Sequence, residues 1–168
     1  ATDDQGATRT SEPVRISVTD SNIPPRTVVS IVAIDPQGSE IPEVPPGMDM
    51  PQRFDPAIFT VSRSANFDID LTVQYRIDGS AANGVDYVRI PSEVKIPAGS
   101  RSAQIEINVI DDRLVEGTEN VIIQLIPPIC PAIFPPPPEC YVVGGPLDGN
   151  AGIIALGRAE ARIIDDDF

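Results

Sequence analysis

The 168-residue chain has no histidine and no tryptophan, a single lysine (Lys95) and two cysteines. Each shortage excludes something. Without histidine there is no imidazole general base and no His-containing zinc or serine-hydrolase constellation; GxSxG and metalloprotease motifs are also absent. Few Lys and Arg against 25 acidic residues give a formal charge of −13. That balance argues against nucleic acid, whose phosphates need clustered cations, and against an anionic membrane surface. No apolar run reaches the length of a membrane-spanning helix, so no direct membrane insertion is expected. Aromatic residues make up 5 % of the chain, too few for the exposed platforms that sugar-binding faces usually offer. No secretory leader is recognisable. We therefore expect a piece of a longer protein, with targeting information outside it.

What the chain has is proline and glycine, 19 and 12 residues, together with β-branched residues in short alternating runs. Long helices are incompatible with this composition, and turns are favoured. Strand signals cover Thr27 to Ile34, Ala57 to Ser62, Leu71 to Asp78, Glu93 to Ile96 and Ser102 to Ile110. Two more centre on Val121-Ile123-Leu125 and Ala159-Ala161-Ile163. Period-2 alternation means one buried and one wet face. About seven such strands with Pro and Gly between them predict an all-β, immunoglobulin-like antiparallel β-sandwich. Tyr75 and Tyr87 are expected in the core and at its end. Two insertions interrupt the pattern, at 36–53 and 127–150, and are expected to be loops. The second holds Pro135 to Pro138, which lack the N–H a sheet needs. Cys130 and Cys140 flank that run. A local disulfide is the favoured reading over two free thiols, and it points to an oxidising compartment.

Two strands end in bursts of carboxylates. Ile105 to Ile110 runs into Asp111-Asp112, with Glu116 and Glu119 following; Arg158 to Ile164 runs into Asp165-Asp166-Asp167. Like charges this dense repel by a few kcal/mol per close pair at moderate effective dielectric, roughly. Either the runs are solvated loops that discourage edge pairing, or a cation sits among them. Oxygen donors alone select a hard cation, and Ca²⁺ accepts many carboxylates in flexible geometry. Consecutive side chains of a strand point to opposite faces, so the aspartate triplet has to lie where the strand ends.

FTVSRS at 59–64, LTVQYRIDGSAANGVDY at 71–87, VKIPAGSRSAQIEINVIDDRLVEGTENVIIQL at 94–125 and ARIIDDD at 161–167 together resemble a Calx-β domain. The resemblance implies a sandwich that binds several Ca²⁺ ions at one end. Matched residue by residue, it implies a ligand set of Glu40, Asp86, Asp111, Asp112, the carbonyl of Leu114, Glu116, Glu119, Asp165, Asp166 and Asp167. Arg113 stands where strongly calcium-sensing members are often acidic, so about two or three ions are expected. Residues 26–168 form the domain on this reading. Residues 1–25 are similar to the closing strand of a bacterial immunoglobulin-like repeat. In them Val14, Ile16 and Val18 alternate with polar residues ahead of Pro24-Pro25.

These readings predict a non-enzymatic calcium-binding module of a large extracellular or cell-surface bacterial protein. Ca²⁺ would rigidify it for adhesion or structural assembly. Its expected partners are neighbouring domains of the same protein or neighbouring copies of the chain, with glycans or matrix beyond them. One alternative is a filament-forming subunit assembled by N-terminal strand donation. Another is a carbohydrate-binding module.

Overall fold

The structure is a computed structural model and describes residues 26–40, 55–112, 114–144 and 157–165. Among these residues there are nine strands and no helix. They are β1 (Thr27–Asp35), β2 (Gln37–Ser39), β3 (Ala57–Arg63), β4 (Leu71–Gly79), β5 (Glu93–Ile96), β6 (Ser102–Ile107), β7 (Glu119–Ile126), β8 (Tyr141–Val143) and β9 (Arg158–Ile164). They make two sheets, β6-β3-β1-β8 and β2-β9-β7-β4-β5. The alternating residues do what their period demands. Val29 and Ile31, Phe59 and Val61, Val73 and Tyr75, Ile105 and Ile107, Val121 and Ile123, and Ala161 and Ile163 meet between the sheets as one buried core. Tyr75 and Tyr87 are both buried there, as expected.

The expected sandwich is present, with two strands more than the seven expected and with boundaries that differ. The 36–53 insertion is not all loop: β2 pairs in parallel with β9, Ser39 beside Ile164. Three residues show no period, and Gly38 hides the strand further. A Cβ there would lie 2.9 Å from both the Ala57 nitrogen and Val109 Cγ2, so the close approach requires glycine. The 127–150 insertion likewise contains β8, parallel to β1 with Thr27 beside Tyr141. Pairing partners so distant in sequence leave no local signal. The sheets are therefore antiparallel apart from these two pairs. Residues 41–53 of the first insertion and 145–150 of the second lie outside the described residues, as do residues 1–25.

β6 stops at Ile107, short of the expected Ile110. Alternation does continue through Val109, but the hydrogen-bonding partner changes. Asn108 O accepts from Val88 N at 2.8 Å, and Ile110 N donates to Asp86 O at 2.9 Å. The chain leaves β3 and pairs with the 86–88 segment instead, with Tyr87 opposite Val109. This switch carries the acidic run toward the end of the sandwich where Asp86 lies.

The opposite end is organised by Arg63, only 4 % exposed. Its Nε donates to Ser100 O at 2.9 Å. Nη1 donates to Asn66 O at 2.9 Å and Ile69 O at 2.7 Å. Nη2 donates to Phe67 O at 3.2 Å and Pro97 O at 2.9 Å. The guanidinium thus spends its planar fork on backbone carbonyls from the β3–β4 and β5–β6 connections. Near this end the β7–β8 excursion is closed by the Cys130–Cys140 disulfide, with Cα atoms 5.9 Å apart. The disulfide reading therefore holds over the free-thiol alternative. Tyr141 ties the excursion down. Its hydroxyl donates to Ile126 O at 2.7 Å and accepts from Gln74 N at 3.2 Å.

Replacing Arg63 by Met leaves those carbonyls without donors and should cost at least about 3 kcal/mol in urea unfolding. Arg63→Lys, with a single compact ammonium, should recover only a minor part. Alkaline unfolding has a separate cause. Burial pushes the Tyr75 hydroxyl up to about 12, with repulsion from Tyr87 and Glu93 adding to it. Burial also raises Tyr87 and Tyr141. A folded-state value above the unfolded one means stability is complete below about pH 10 and is lost as pH rises toward about 12. Tyrosinate absorbance should therefore lag a free-tyrosine curve and then rise together with loss of the β-sheet circular dichroism signal.

Candidate metal centre

Sheet register brings the acids to one end. β2 lies beside β9 and β9 beside β7, with Ser39 opposite Ile164 and Glu119 opposite Ile163. Glu40, which follows β2, donates its N–H to Ile164 O at 3.0 Å and is buried. Glu119 opens β7 and Asp165 follows β9. Three strand ends thus deliver Glu40, Asp165 and Glu119 to neighbouring positions.

The turn after β4 supplies the next carboxylate. Gly79, with φ of 127°, turns the chain where a Cβ would collide with the Asn120 carbonyl. Ala81 N then donates to Asn120 O at 3.1 Å. Asp86 Oδ2 accepts from Ala82 N at 2.5 Å and closes the turn. Asp86 is 9 % exposed, a burial rare for a carboxylate without a counter-charge.

The β6–β7 loop closes over it. Asp112 Oδ1 accepts from Leu114 N at 2.7 Å, a local turn that folds the loop back. Asp165 Oδ2 accepts from Glu116 N at 2.6 Å and Gly117 N at 2.7 Å, so the end of β9 holds the loop by two backbone amides. Gly117 has φ of 78°, a left-handed conformation that suits glycine.

The outcome is a convergence of Asp86, Glu116 and Glu119, whose nearest carboxylate oxygens all lie within 4.8 Å of one another. Desolvation, then repulsion from Asp86, Asp112 and Asp165, holds Glu116 above the usual carboxylate range. Glu119 is raised by desolvation, by a hydrogen bond to Asp86 and by repulsion from Asp86 and Glu116, with Ser80 opposing. The donors are oxygen only, and several acids supply them from independent loops. This is the environment that suits Ca²⁺, which takes 6–8 oxygens, roughly, in tolerant geometry.

Of the residues expected from sequence, Asp86, Glu116 and Glu119 are brought together, with Asp112 and Asp165 close enough to act on Glu116. Glu40 is placed beside the end of β9. Asp111 and Leu114 are exposed in the loop. Asp166, Asp167 and Arg113 lie outside the described residues. Ser80 and Asn120 were not anticipated. Asn120 Oδ1 accepts from Ser80 N at 2.9 Å, and Asn120 N donates to Ser80 Oγ at 3.0 Å. This reciprocal pair ties the β4 turn to the start of β7. Only the fold brings the two residues together, so no local signal marks them.

The class of protein is thus a β-sandwich with a carboxylate-lined tip. Residues 50–129 match the family model of the Calx-beta domain, so the resemblance read from the motifs holds across that span. Among solved structures, the apo-form Calx CBD1 domain superposes with a TM-score of 0.51 at 21 % identity, covering 85 % of this chain and all of that one. CBD12 from CALX1.2 gives 0.50 at 22 % identity, covering 83 % of this chain and 44 % of that one. At these identities the likeness concerns the fold. No curated protein matches the chain.

The Asp165 clasp is testable without any ligand. Asp165→Ala should speed hydrogen exchange at the Glu116 and Gly117 amides and cost about 1 kcal/mol. Asp165→Asn keeps an acceptor oxygen and should leave both amides close to their parent rates.

Proposed function

We propose that residues 26–168 form a Calx-β domain that binds Ca²⁺ at the acidic tip and has no catalytic role. The observation that carries this is the convergence of Asp86, Glu116 and Glu119, with Asp86 buried. Asp111, Asp112, Asp165, Asp166, Asp167, Glu40 and the Leu114 carbonyl complete the proposed ligand set for about two or three ions.

The mechanism is linkage. Ions bind the assembled loops and not the unfolded chain, so stability rises with free Ca²⁺. Ca²⁺ supplies the positive charge that offsets the repulsion. The protein supplies loops already held in place by the Asp165 clasp and the Ser80–Asn120 pair. Strand β9 leaves the sandwich at this tip, so a filled site would restrain the chain where it exits. A string of such domains would thereby become stiff, as adhesion or structural assembly requires. The disulfide supports a secreted or cell-surface setting. Adjacent domains of the same protein or neighbouring copies are the proposed partners at the tip, with glycans or matrix bound by the assembly.

Thermal melting in Ca²⁺ and in EDTA tests this. At free Ca²⁺ about 100 times Kd, one site adds about 2.7 kcal/mol, so the midpoint should rise by several degrees. Glu119→Gln should do two things at once: raise the midpoint in EDTA by relieving repulsion, and shrink the Ca²⁺ response. Equal midpoints with and without Ca²⁺ in the parent would discard the proposal.

A further inference from the structure

The disulfide-closed loop presents apolar side chains that the sandwich does not use. Ile129 is fully exposed, Ile133 61 % and Phe134 73 % exposed. Between Pro127 and Gly144 the only charged residue is Glu139. Scattered apolar residues on a surface are ordinary, but three within six positions of one restrained loop are not scattered. The loop is held in shape. Cys130 is bonded to Cys140, Cys140 N donates to Pro137 O at 2.9 Å, and Pro135 to Pro138 stiffen the span between. A pre-shaped apolar surface loses little freedom on being covered.

The topology says which part of the chain is at hand. Asn66 Nδ2 donates both to Thr27 Oγ1 at 2.7 Å and to Pro138 O at 3.3 Å. One amide group therefore touches both the start of β1 and the proline run of the loop. Residues 1–25, outside the described residues, join the sandwich at this pole through Arg26. Ile16 lies ten positions before Arg26, a tether of up to about 33 Å when extended. Within that segment Val14, Ile16 and Val18 fall on one side of a period-2 pattern, and Arg15 and Ser17 on the other.

We propose that residues 14–18 of this same chain dock on the disulfide-closed loop, setting Val14, Ile16 and Val18 against Ile129, Ile133 and Phe134. The loop is then a seat for the segment that leads into the domain, at the pole opposite the acidic tip. This does not depend on calcium binding.

Hydroxyl-radical footprinting of the full chain reads the contact. Ile129, Ile133 and Phe134 should be protected in the parent and several-fold more reactive in Ile16→Asp. Arg15→Asp, on the opposite side of the segment, should leave them protected. From the other partner, Phe134→Ser should speed amide exchange over residues 14–18 while the melting transition stays cooperative. Equal reactivity in the parent and Ile16→Asp overturns the proposal. Protection that survives Ile16→Asp but fades on dilution, together with a falling sedimentation coefficient, also overturns it and assigns the seat to a second copy.

Discussion

Carboxylates from separate loops are forced together at one end of this sandwich by backbone bonds that do not involve their charges. β2 on β9 on β7 is a hydrogen-bonded ladder, and its ends carry Glu40, Asp165 and Glu119 whatever their ionisation. The switch at Asn108 from β3 to the 86–88 segment is also made by main chain, and it brings the acidic loop to Asp86. Repulsion among the acids amounts to a few kcal/mol per close pair, roughly. The ladders and the apolar core outweigh it without removing it. Desolvation and, after it, this repulsion raise the proton affinities of Glu116 and Glu119.

The two poles treat charge in opposite ways. Arg63 is a buried cation satisfied entirely from within: five carbonyl acceptors, each from the chain itself. Its pole is complete without anything from solution. At the acidic pole the donors include backbone amides, Ala82 to Asp86 and Glu116 and Gly117 to Asp165, and the Ser80 side chain to Glu119. These position carboxylates but carry no full positive charge. Amides can orient such a cluster; neutralising it takes protons or a cation. On the proposed function, that difference makes one end a fixed support and the other the end that responds to Ca²⁺.

Much of this was legible in the sequence because both signals were local. Leu71 to Asp78 alternates over a whole strand, and so do Ser102 to Ile107, so fold class and core followed from period alone. Asp111-Asp112 and Asp165-Asp166-Asp167 announced themselves by density. What stayed hidden depends on partners far along the chain. β2 and β8 are three residues each and exist through parallel pairing with β9 and β1. Arg63 reads as the polar end of an alternating strand; its burial follows from two loops folding over it. Ser80 and Asn120 meet 40 residues apart. The family resemblance supplied Asp86 as an expected ligand, a role no local pattern marks, since GVDY reads equally well as an ordinary turn.

The order in which the chain visits the poles has a mechanical consequence. It enters β1 at the Arg63 pole and leaves β9 at the acidic one, so tension applied to the segments on either side runs along the sandwich. Along that path the exit side carries the Asp165 clasp, whose hydrogen bonds include those from Glu116 N and Gly117 N in an exposed loop. Bonds of this kind contribute about 1 kcal/mol each in water and open readily. On the entering side β1 is held by β3 and β8 together. β9 is likewise held on both sides, by β2 and β7, up to Ile164. On the proposed function, a divalent ion shared between Asp165 and acids of the β4 turn and the β6–β7 loop would add to what these ladders already hold on the exit side.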